Sequence, residues 1–361
     1  MARYSELVQQ LYREGLAGRT SDLPLTAEGL EREAAGKLPP EVYGYVAGGA
    51  GSGATIRANL RAFTSWEIVP RQLQGVAERD LSIELFGSRL PTPLLLAPIG
   101  ALGAVMPQGE LEVARAAAEL GVPMTLSTLS GETMEDVAAE LHQASGVGWF
   151  QLYWPTDRDV AQSLVHRAER AGFSALVLTV DNWTLAWRPQ ELMHGYLPFH
   201  RGHGLANYRS DPVFRSRLGA GQDATTEAVV DLWSQIYSNP HLNWSDLAWL
   251  RAETTLPILV KGICHPDDAR RAVEAGVDGL IVSNHGGRQV DGARPALDCL
   301  PQVLTASGSL PVLFDSGIRS GADAVKALAL GARAVLVGRP YVYGLALAGR
   351  RGVEHVLRCL L

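Results

Sequence analysis

Eight short apolar runs, each followed by an amphipathic stretch, constrain this chain more than any other feature of its sequence. The runs are LLLAPIG (94–100), PMTLST (123–128), GWFQLYW (148–154), ALVLTVD (175–181), PILVKGI (257–263), GLIVSNHG (279–286), PVLFDSG (311–317) and AVLVGR (334–339). In the stretches between them, apolar residues recur every three or four positions, which is the spacing of a helix with one buried face. The runs are largely apolar throughout, as expected of parallel strands covered on both faces. The pattern therefore predicts repeated β-strand–α-helix units.

Glycines mark the boundaries of several of these units. Gly121, Gly172, Gly276 and Gly331 each follow a helical stretch and precede a strand, and glycine readily adopts the left-handed conformation that ends a helix. Eight such units over roughly 245 residues match the size of a (β/α)8 barrel, the TIM barrel fold of the α/β class. A doubly wound open sheet is the alternative, but the chain lacks a convincing GxGxxG motif, which favours the closed barrel.

Two segments fall outside the repeat. Residues 1–93 precede the barrel domain (94–361) and are expected to form a helical segment and a cap across the barrel floor. Their glycine cluster, 48–53, lacks the Gly-Lys-Ser/Thr of a phosphate-binding loop and is interpreted as a turn. The second segment, 182–245, separates the fourth strand from its helix, and connections this long are usually lids or disordered. Its many aromatic residues predict a packed lid.

Composition narrows the functional classes. The formal net charge is −6 without a basic block, so nucleic acid is not an expected partner. No apolar run reaches the ~18 residues of a membrane-spanning helix, and the first residues lack the apolar stretch of a secretory signal. The three cysteines, Cys264, Cys299 and Cys359, are too scattered for a disulfide framework or a metal cluster. We therefore expect a cytoplasmic protein that binds neither metal nor membrane.

Polar residues concentrate where the predicted strands end. The strand ends, in chain order, hold Ala97-Pro98-Ile99-Gly100, Ser127, Gln151 with Tyr153, Thr179 with Asp181, Lys261, Ser283-Asn284-His285, Asp315-Ser316-Gly317 and Gly338-Arg339. Stability alone does not explain polar groups at one end of eight apolar strands. Because active sites of such barrels lie at the carboxyl ends of the strands, these residues predict the active site.

Three features of this set indicate particular chemistry. His285 could take a substrate proton with Asp181 orienting its ring, and Arg288 could hold a carboxylate. Lys261 closes an apolar strand and needs an anionic partner, either a neighbouring carboxylate or a charge on a cofactor; a Schiff-base role is a third possibility. The last two strands are followed by glycines with Arg319 and Arg339, where such barrels commonly bind phosphate.

These motifs resemble the FMN-dependent L-2-hydroxy acid oxidase and dehydrogenase family, which includes glycolate oxidase, lactate oxidase and lactate 2-monooxygenase. SNHGGRQ followed by Asp291 is the most specific motif, and LVKGI, QLYW, TVD and DSGIRSG add support. The resemblance extends from LPPEVYGYVAGG to YVYGLALAG, which is nearly the whole chain.

The resemblance implies an FMN cofactor, a small 2-hydroxy acid substrate, and a role for each matching residue. The residues that would bind FMN are Ala97, Pro98, Ile99, Gly100, Ser127, Gln151, Thr179, Lys261, Ser283, Asp315, Gly317, Arg319, Gly338 and Arg339. The substrate carboxylate would be held by Tyr45, Arg188 and Arg288, with Tyr153 at the substrate hydroxyl. His285, paired with Asp181, would be the base and would also contact the substrate. The predicted catalytic residues are therefore His285, Asp181, Arg288 and Tyr153.

Within the family, the insertion segment RGHGLANYRSDPVFRSRL is most similar to the lactate 2-monooxygenase subgroup, as are KGICHPDDARRA and RPALDCLP. This implies conversion of lactate and O₂ to acetate, CO₂ and water. SNHGGRQVDG also resembles oxidases that release the keto acid and hydrogen peroxide, so that alternative stays open. We expect O₂ as acceptor, because a heme-binding segment is not found, and a homo-oligomer, a tetramer or larger. A Schiff-base lyase and a catalytically inert barrel are the alternatives from other classes.

Overall fold

The computed structural model describes residues 6–76, 78–218 and 225–361. Four helices and a hairpin precede the barrel: α1 (Glu6–Leu16), α2 (Ala27–Lys37), α3 (Pro40–Ala47), α4 (Ala54–Ala62), β1 (Ile83–Leu85) and β2 (Ser88–Leu90). The first four units of the barrel contain β3 (Leu94–Leu96), α5 (Gly109–Glu119), β4 (Met124–Ser127), α6 (Met134–Gln143), β5 (Gly148–Leu152), α7 (Arg158–Ala171), β6 (Leu176–Thr179) and α12 (Leu247–Glu253). Between β6 and α12 lie the lid helices α8 (Pro189–Met193), α9 (Ala206–Ser210), α10 (Pro212–Arg217) and α11 (Thr226–Ile236). The last four are β7 (Ile258–Ile263), α13 (Pro266–Glu274), β8 (Gly279–Val282), α14 (Ala296–Ala306), β9 (Val312–Phe314), α15 (Gly321–Ala329), β10 (Val335–Val337) and α16 (Arg339–Leu360).

In the described part of the chain, strands β3 to β10 form a closed parallel barrel in sequence order, with β10 hydrogen-bonded to β3. Alternate side chains of each strand face two different cores. In β3, Leu95 packs inside the barrel, whereas Leu94 and Leu96 pack against the surrounding helices. Both faces of a strand are therefore buried in apolar surroundings, which explains the continuously apolar runs and confirms the (β/α)8 prediction.

The two ends of the barrel are closed by different parts of the N-terminal segment. Leu85 and Leu90 of the β1–β2 hairpin pack with the cluster inside the barrel. At the opposite end, the Tyr45 hydroxyl of α3 donates to Gly100 O at 3.2 Å, and Asn59 of α4 donates to Asn284 at 2.8 Å. Helices α3 and α4 therefore lie at the carboxyl ends of the strands, where the predicted site residues are.

Local signals set the helix boundaries. Asp157 caps α7 by accepting from the backbone N–H groups of Asp159 and Val160, and Gly172 ends the helix with φ of +89°. The other three predicted helix-ending glycines also have positive φ: Gly121 (+65°), Gly276 (+71°) and Gly331 (+117°). These glycines allow the chain to turn directly into the next strand.

Within its described residues, the lid contains the four short helices α8 to α11. Its aromatic residues Tyr208, Phe214 and Trp233 are almost fully buried and belong to the same hydrophobic core as the helices around the barrel. Arg167 of α7 ties the lid to the barrel by donating to the Asp211 carboxylate at 3.1 Å. Residues 219–224, in the predicted tip of the lid, lie outside the described residues. Across the residues that are described, none of the helices combines the length and apolarity needed to span a membrane.

Candidate active site

The polar residues that end the strands meet in one cleft at the mouth of the barrel. Of the predicted site residues, those lining it are Tyr45, Ala97, Pro98, Ile99, Gly100, Ser127, Tyr153, Arg188, Lys261, His285, Arg288, Asp315, Gly317, Arg319, Gly338 and Arg339. The other four adjoin this lining. Gln151 accepts from Ser127, Asp181 pairs with His285, Ser283 accepts from Lys261, and Thr179 lies beside Lys261 on the neighbouring strand.

His285 is held in one orientation by its neighbours. Its Nδ1 lies 2.8 Å from Asp181 Oδ1, its backbone N–H donates to Ser283 Oγ at 3.0 Å, and its φ of +58° turns it out of the strand direction. Burial lowers the pKa of His285, although Asp181 opposes this shift. Because the Asp181 carboxylate accepts a hydrogen bond from Nδ1–H, the neutral ring keeps its proton on Nδ1 and presents an unprotonated Nε2, which lies 3.5 Å from the Tyr153 hydroxyl. This nitrogen can accept a proton.

Lys261 is buried and has a carboxylate partner. Its Nζ lies 3.0 Å from Asp315 Oδ2 and donates to Ser283 Oγ at 2.9 Å. Burial favours a lower pKa for Lys261, but Asp315 and Asp181 outweigh it and raise the pKa above its ordinary value. Lys261 is therefore a permanent ammonium group, whereas Schiff-base chemistry needs the neutral amine.

Arg188 and Arg288 come together although 100 residues separate them, since Arg188 Nε donates to the backbone oxygen of Arg288 at 3.0 Å. Arg288 also donates to Gly48 O at 2.8 Å, and its guanidinium lies 5.2 Å from the centre of the Tyr45 ring. Burial and the neighbouring Arg188 lower the pKa of Arg288. Two neighbouring guanidinium groups, one buried and one partly buried, can hold a carboxylate.

Arg339 lies beside Arg288, since both donate to Gly48 O, and it is partly buried without a carboxylate partner in the described chain. It donates to the backbone oxygens of Gly48 and Gly286, both at 2.9 Å, and burial lowers its pKa to about 10. Arg319 and Gly317 line the same part of the cleft, and helix α16 begins immediately after Gly338. A phosphate group would fit here, because it would meet the unpaired guanidinium group of Arg339, a glycine-containing loop and the N-terminus of a helix.

Two buried polar groups below the cleft have no partner among the described residues: Gln151 Nε2 and Thr179 Oγ1. Burying a polar atom unpaired is costly, so such atoms at a barrel mouth indicate a ligand with hydrogen-bonding edges. A flavin ring has such edges, and FMN also carries a phosphate group that could be the anionic partner of Arg339. The residues present therefore fit FMN.

The sequence did not single out Asn182, Tyr237 or Glu191, and it placed Ser316 at a strand end without giving it a role. Asn182 donates to the hydroxyl groups of Tyr153 (3.1 Å) and Tyr237 (3.3 Å), and so joins the strand ends to the lid. Ser316 accepts from the backbone N–H of Gly286 at 3.0 Å, which supports the loop that carries His285. The buried Glu191 of α8 lies between the two arginines. Adjacency to Asp181 could have identified Asn182, whereas Tyr237 and Glu191 lie in the non-repeating lid.

Comparison with known proteins agrees with this geometry. Residues 34–361 match the FMN-dependent dehydrogenase family. The chain belongs to this family. It is 47% identical over 335 residues to an L-lactate oxidase of Lysinibacillus sphaericus, covering 92% of this chain and 86% of the relative. It is 46% identical over 337 residues to the FMN-dependent alpha-hydroxy acid dehydrogenase qulF of Penicillium citrinum, covering 92% and 83%. A crystal structure of mandelate oxidase superposes with a TM-score of 0.82 at 40% identity, covering 93% of this chain and 91% of the other.

Membership of the FMN-dependent dehydrogenase family decides between the classes left open by the sequence. The protein is an FMN-dependent 2-hydroxy acid oxidoreductase on a (β/α)8 barrel. The lyase and the inert barrel are thereby excluded as its class. The sequence-based prediction of family, cofactor and fold is confirmed.

Proposed function

We propose that this enzyme is a lactate 2-monooxygenase, which converts L-lactate and O₂ to acetate, CO₂ and water. The observation that carries the proposal is the lid, whose buried aromatic residues join the core around the barrel and which contributes Phe199 and Tyr237 to the cleft. Monooxygenation requires that the keto acid and peroxide stay together long enough to react. A lid that opens slowly provides this, because lid opening often controls product release.

Within this proposal each part of the cleft has a task. Arg188, Arg288 and Tyr45 hold the substrate carboxylate, and Tyr153 contacts its hydroxyl group. His285, held by Asp181, takes up the proton that the substrate loses on oxidation. FMN held in the cleft would supply the two-electron redox chemistry that links oxidation of the substrate to reduction of oxygen.

Three further sets of residues would serve the cofactor. Gln151, Thr179 and Ser127 offer hydrogen bonds to the flavin ring, and Ala97 to Gly100 form a wall against it. Lys261 supplies a fixed positive charge, with Ser283 and Asp315 keeping its ammonium group in place. The last set would bind the phosphate and the ribityl chain of FMN, and it consists of Gly317, Arg319, Gly338 and Arg339.

A second candidate is a 2-hydroxy acid oxidase that releases the keto acid and hydrogen peroxide. The relative at 47% identity that is named L-lactate oxidase favours it. The two candidates share every step up to the fate of the products, so the cleft residues have the same roles in both. They differ in whether the lid opens before or after peroxide reacts with the keto acid.

The deciding experiment is the stoichiometry of lactate oxidation in air. The proposal expects one acetate and one CO₂ per lactate, with little peroxide and no return of oxygen when catalase is added. One pyruvate and one peroxide per lactate, with half the oxygen returned by catalase, would establish the oxidase instead. Lack of any turnover of lactate, with turnover of other 2-hydroxy acids, would contradict both lactate assignments.

We also propose that the enzyme is a cytoplasmic homo-oligomer, a tetramer or larger. Large apolar side chains are exposed before the barrel, at Val69, Leu73 and Val76, and on the lid, at Trp187 and Met193. Contact with a second subunit would remove them from water. Light scattering coupled to gel filtration tests this, and a mass of 38.8 kDa, that of one chain, would contradict it.

A further inference from the structure

Glu191 brings a carboxylate of the protein to the two arginines that are proposed to bind the carboxylate of the substrate. It lies in the first turn of α8 and is buried, with 7% of its surface exposed. Its Oε1 is 2.7 Å from Arg288 Nη2 and 3.5 Å from Arg188 Nη1. One oxygen of Glu191 therefore contacts both guanidinium groups.

In the FMN-loaded enzyme the local charge at this point is the sum of three side chains, because the nearby Arg339, which shares the Gly48 oxygen with Arg288, would be neutralised by the FMN phosphate. Arg188 and Arg288 contribute two positive charges, and Glu191 offsets one of them, so one positive charge is left. A substrate with one carboxylate brings the sum to zero. A second carboxylate on the substrate would have to be buried without a countercharge, which is unfavourable in a site of low polarity.

Other charged groups of the cleft do not supply that countercharge, since Arg319 and Arg339 would face the FMN phosphate in the loaded enzyme. Lys261 is engaged by Asp315 at 3.0 Å. His285 is neutral, because burial lowers its pKa, and it is paired with Asp181, whose pKa is lowered by His285 and Lys261 despite burial. The ionised Asp181 and Asp315 repel a second substrate carboxylate rather than attract it.

We propose that Glu191 is a specificity-determining residue, which restricts the arginine pair to 2-hydroxy acids with a single carboxylate. The inference rests on the proposed binding of the substrate carboxylate by Arg188 and Arg288. Because Glu191 belongs to the lid, the discrimination is made by the same segment that covers the cleft. A dicarboxylate such as malate is therefore rejected by charge.

The test replaces Glu191 by Gln in the FMN-loaded enzyme, which removes the charge at nearly constant shape. The ratio of kcat/KM for malate to kcat/KM for lactate is expected to rise at least tenfold. Calorimetry provides a readout without turnover: the dissociation constant of the oxalate dianion should fall about tenfold. Glu191→Asp keeps the charge and should keep the wild-type ratio. Glu227→Gln, at an exposed acid of the lid helix α11, is the matched control.

A second measurement needs no variant. In the wild-type enzyme, oxalate is expected to bind with uptake of close to one proton, seen by calorimetry in buffers of different ionisation enthalpy. Absence of proton uptake, or an unchanged malate-to-lactate ratio in Glu191→Gln, overturns the proposal. If lactate methyl ester reacts as well as lactate in the wild type, the arginines do not hold a carboxylate. In that case the proposed site itself is wrong, whatever the behaviour of Glu191.

Discussion

The mouth of the barrel and the lid cover the same cleft but are built in different ways. At the mouth, His285 and Lys261 stand at the ends of neighbouring strands, and their partners Asp181 and Asp315 also follow strands. The hydrogen-bonded barrel therefore fixes their positions. The lid contains short helices that contribute aromatic groups and Glu191. This division suggests that the barrel performs the chemistry and the lid governs what enters and leaves.

The two regions are joined at a few hydrogen bonds. Asn182, just after β6, bonds the hydroxyl groups of Tyr153 on the barrel and Tyr237 on the lid. Arg188, at the start of α8, bonds the backbone oxygen of Arg288. Changes in the barrel should therefore affect the rate of substrate oxidation, and changes in the lid should affect product fate and selectivity.

The largest effect is expected from the barrel, in His285→Gln. The variant keeps a polar side chain of similar size but cannot take up the proton. Reduction of the bound FMN by lactate, measured without oxygen, should therefore slow by about 10²–10⁴-fold. Stopped-flow absorbance measures this rate, and the visible spectrum checks that FMN is still bound. Reduction at close to the wild-type rate would remove His285 as the base.

Arg288→Lys should have the next largest effect. Lysine retains the charge but loses the planar fork, so substrate binding and the rate of reduction should weaken together, by about 1.5–3 kcal/mol in kcat/KM. Steady-state kinetics with lactate measures the loss. If lactate methyl ester and lactate react equally well with the wild-type enzyme, Arg188 and Arg288 do not bind the substrate through its carboxylate.

A lid variant should separate product fate from chemistry. Trp233→Ala creates a cavity among the buried aromatic residues of the lid and should cost it about 3–5 kcal/mol. Hydrogen exchange over the lid should increase and the product should shift from acetate to pyruvate and peroxide, with little change in reduction rate. Tyr208→Phe is the control, because the Tyr208 hydroxyl has no partner among the described residues. If the ratio of acetate to pyruvate does not change, the lid does not control product retention.

Trimming the predicted tip of the lid, around 219–226, tests the same idea at another point. Residues 219–224 lie outside the described part of the chain, so the expectation comes from the sequence alone. The shorter lid should release product faster and move the products in the same direction as Trp233→Ala. Equal acetate yields in the trimmed and intact enzymes would argue against retention by this segment.

The smallest effect is expected from pH. Burial lowers the pKa of His285 from its ordinary value of about 6.5, so the base stays neutral at and above that pH. As pH falls below the lowered pKa, His285 becomes protonated and kcat/KM should fall, with a midpoint below about 6.5. Asp181 favours the protonated ring, so Asp181→Asn should move this midpoint to still lower pH. A midpoint above 7 would contradict the assignment.

The order of the barrel units and the end of each strand were predictable from sequence, because they follow from local periodicity. A residue just after an apolar strand must lie at the mouth of a parallel barrel. This rule, applied eight times, identified His285, Lys261 and Arg339 before any contact was known. The family resemblance then supplied the expected FMN.

Contacts between distant, non-repeating segments were decided only by the tertiary structure. The sequence left open whether Lys261 pairs with a carboxylate or a cofactor, and the structure pairs it with Asp315. It gave no reason to single out Glu191 or Tyr237, because the lid has neither strand nor regular period to indicate where a side chain lies. Local periodicity determines on which end of the barrel a residue stands, whereas long-range packing determines which charges meet there.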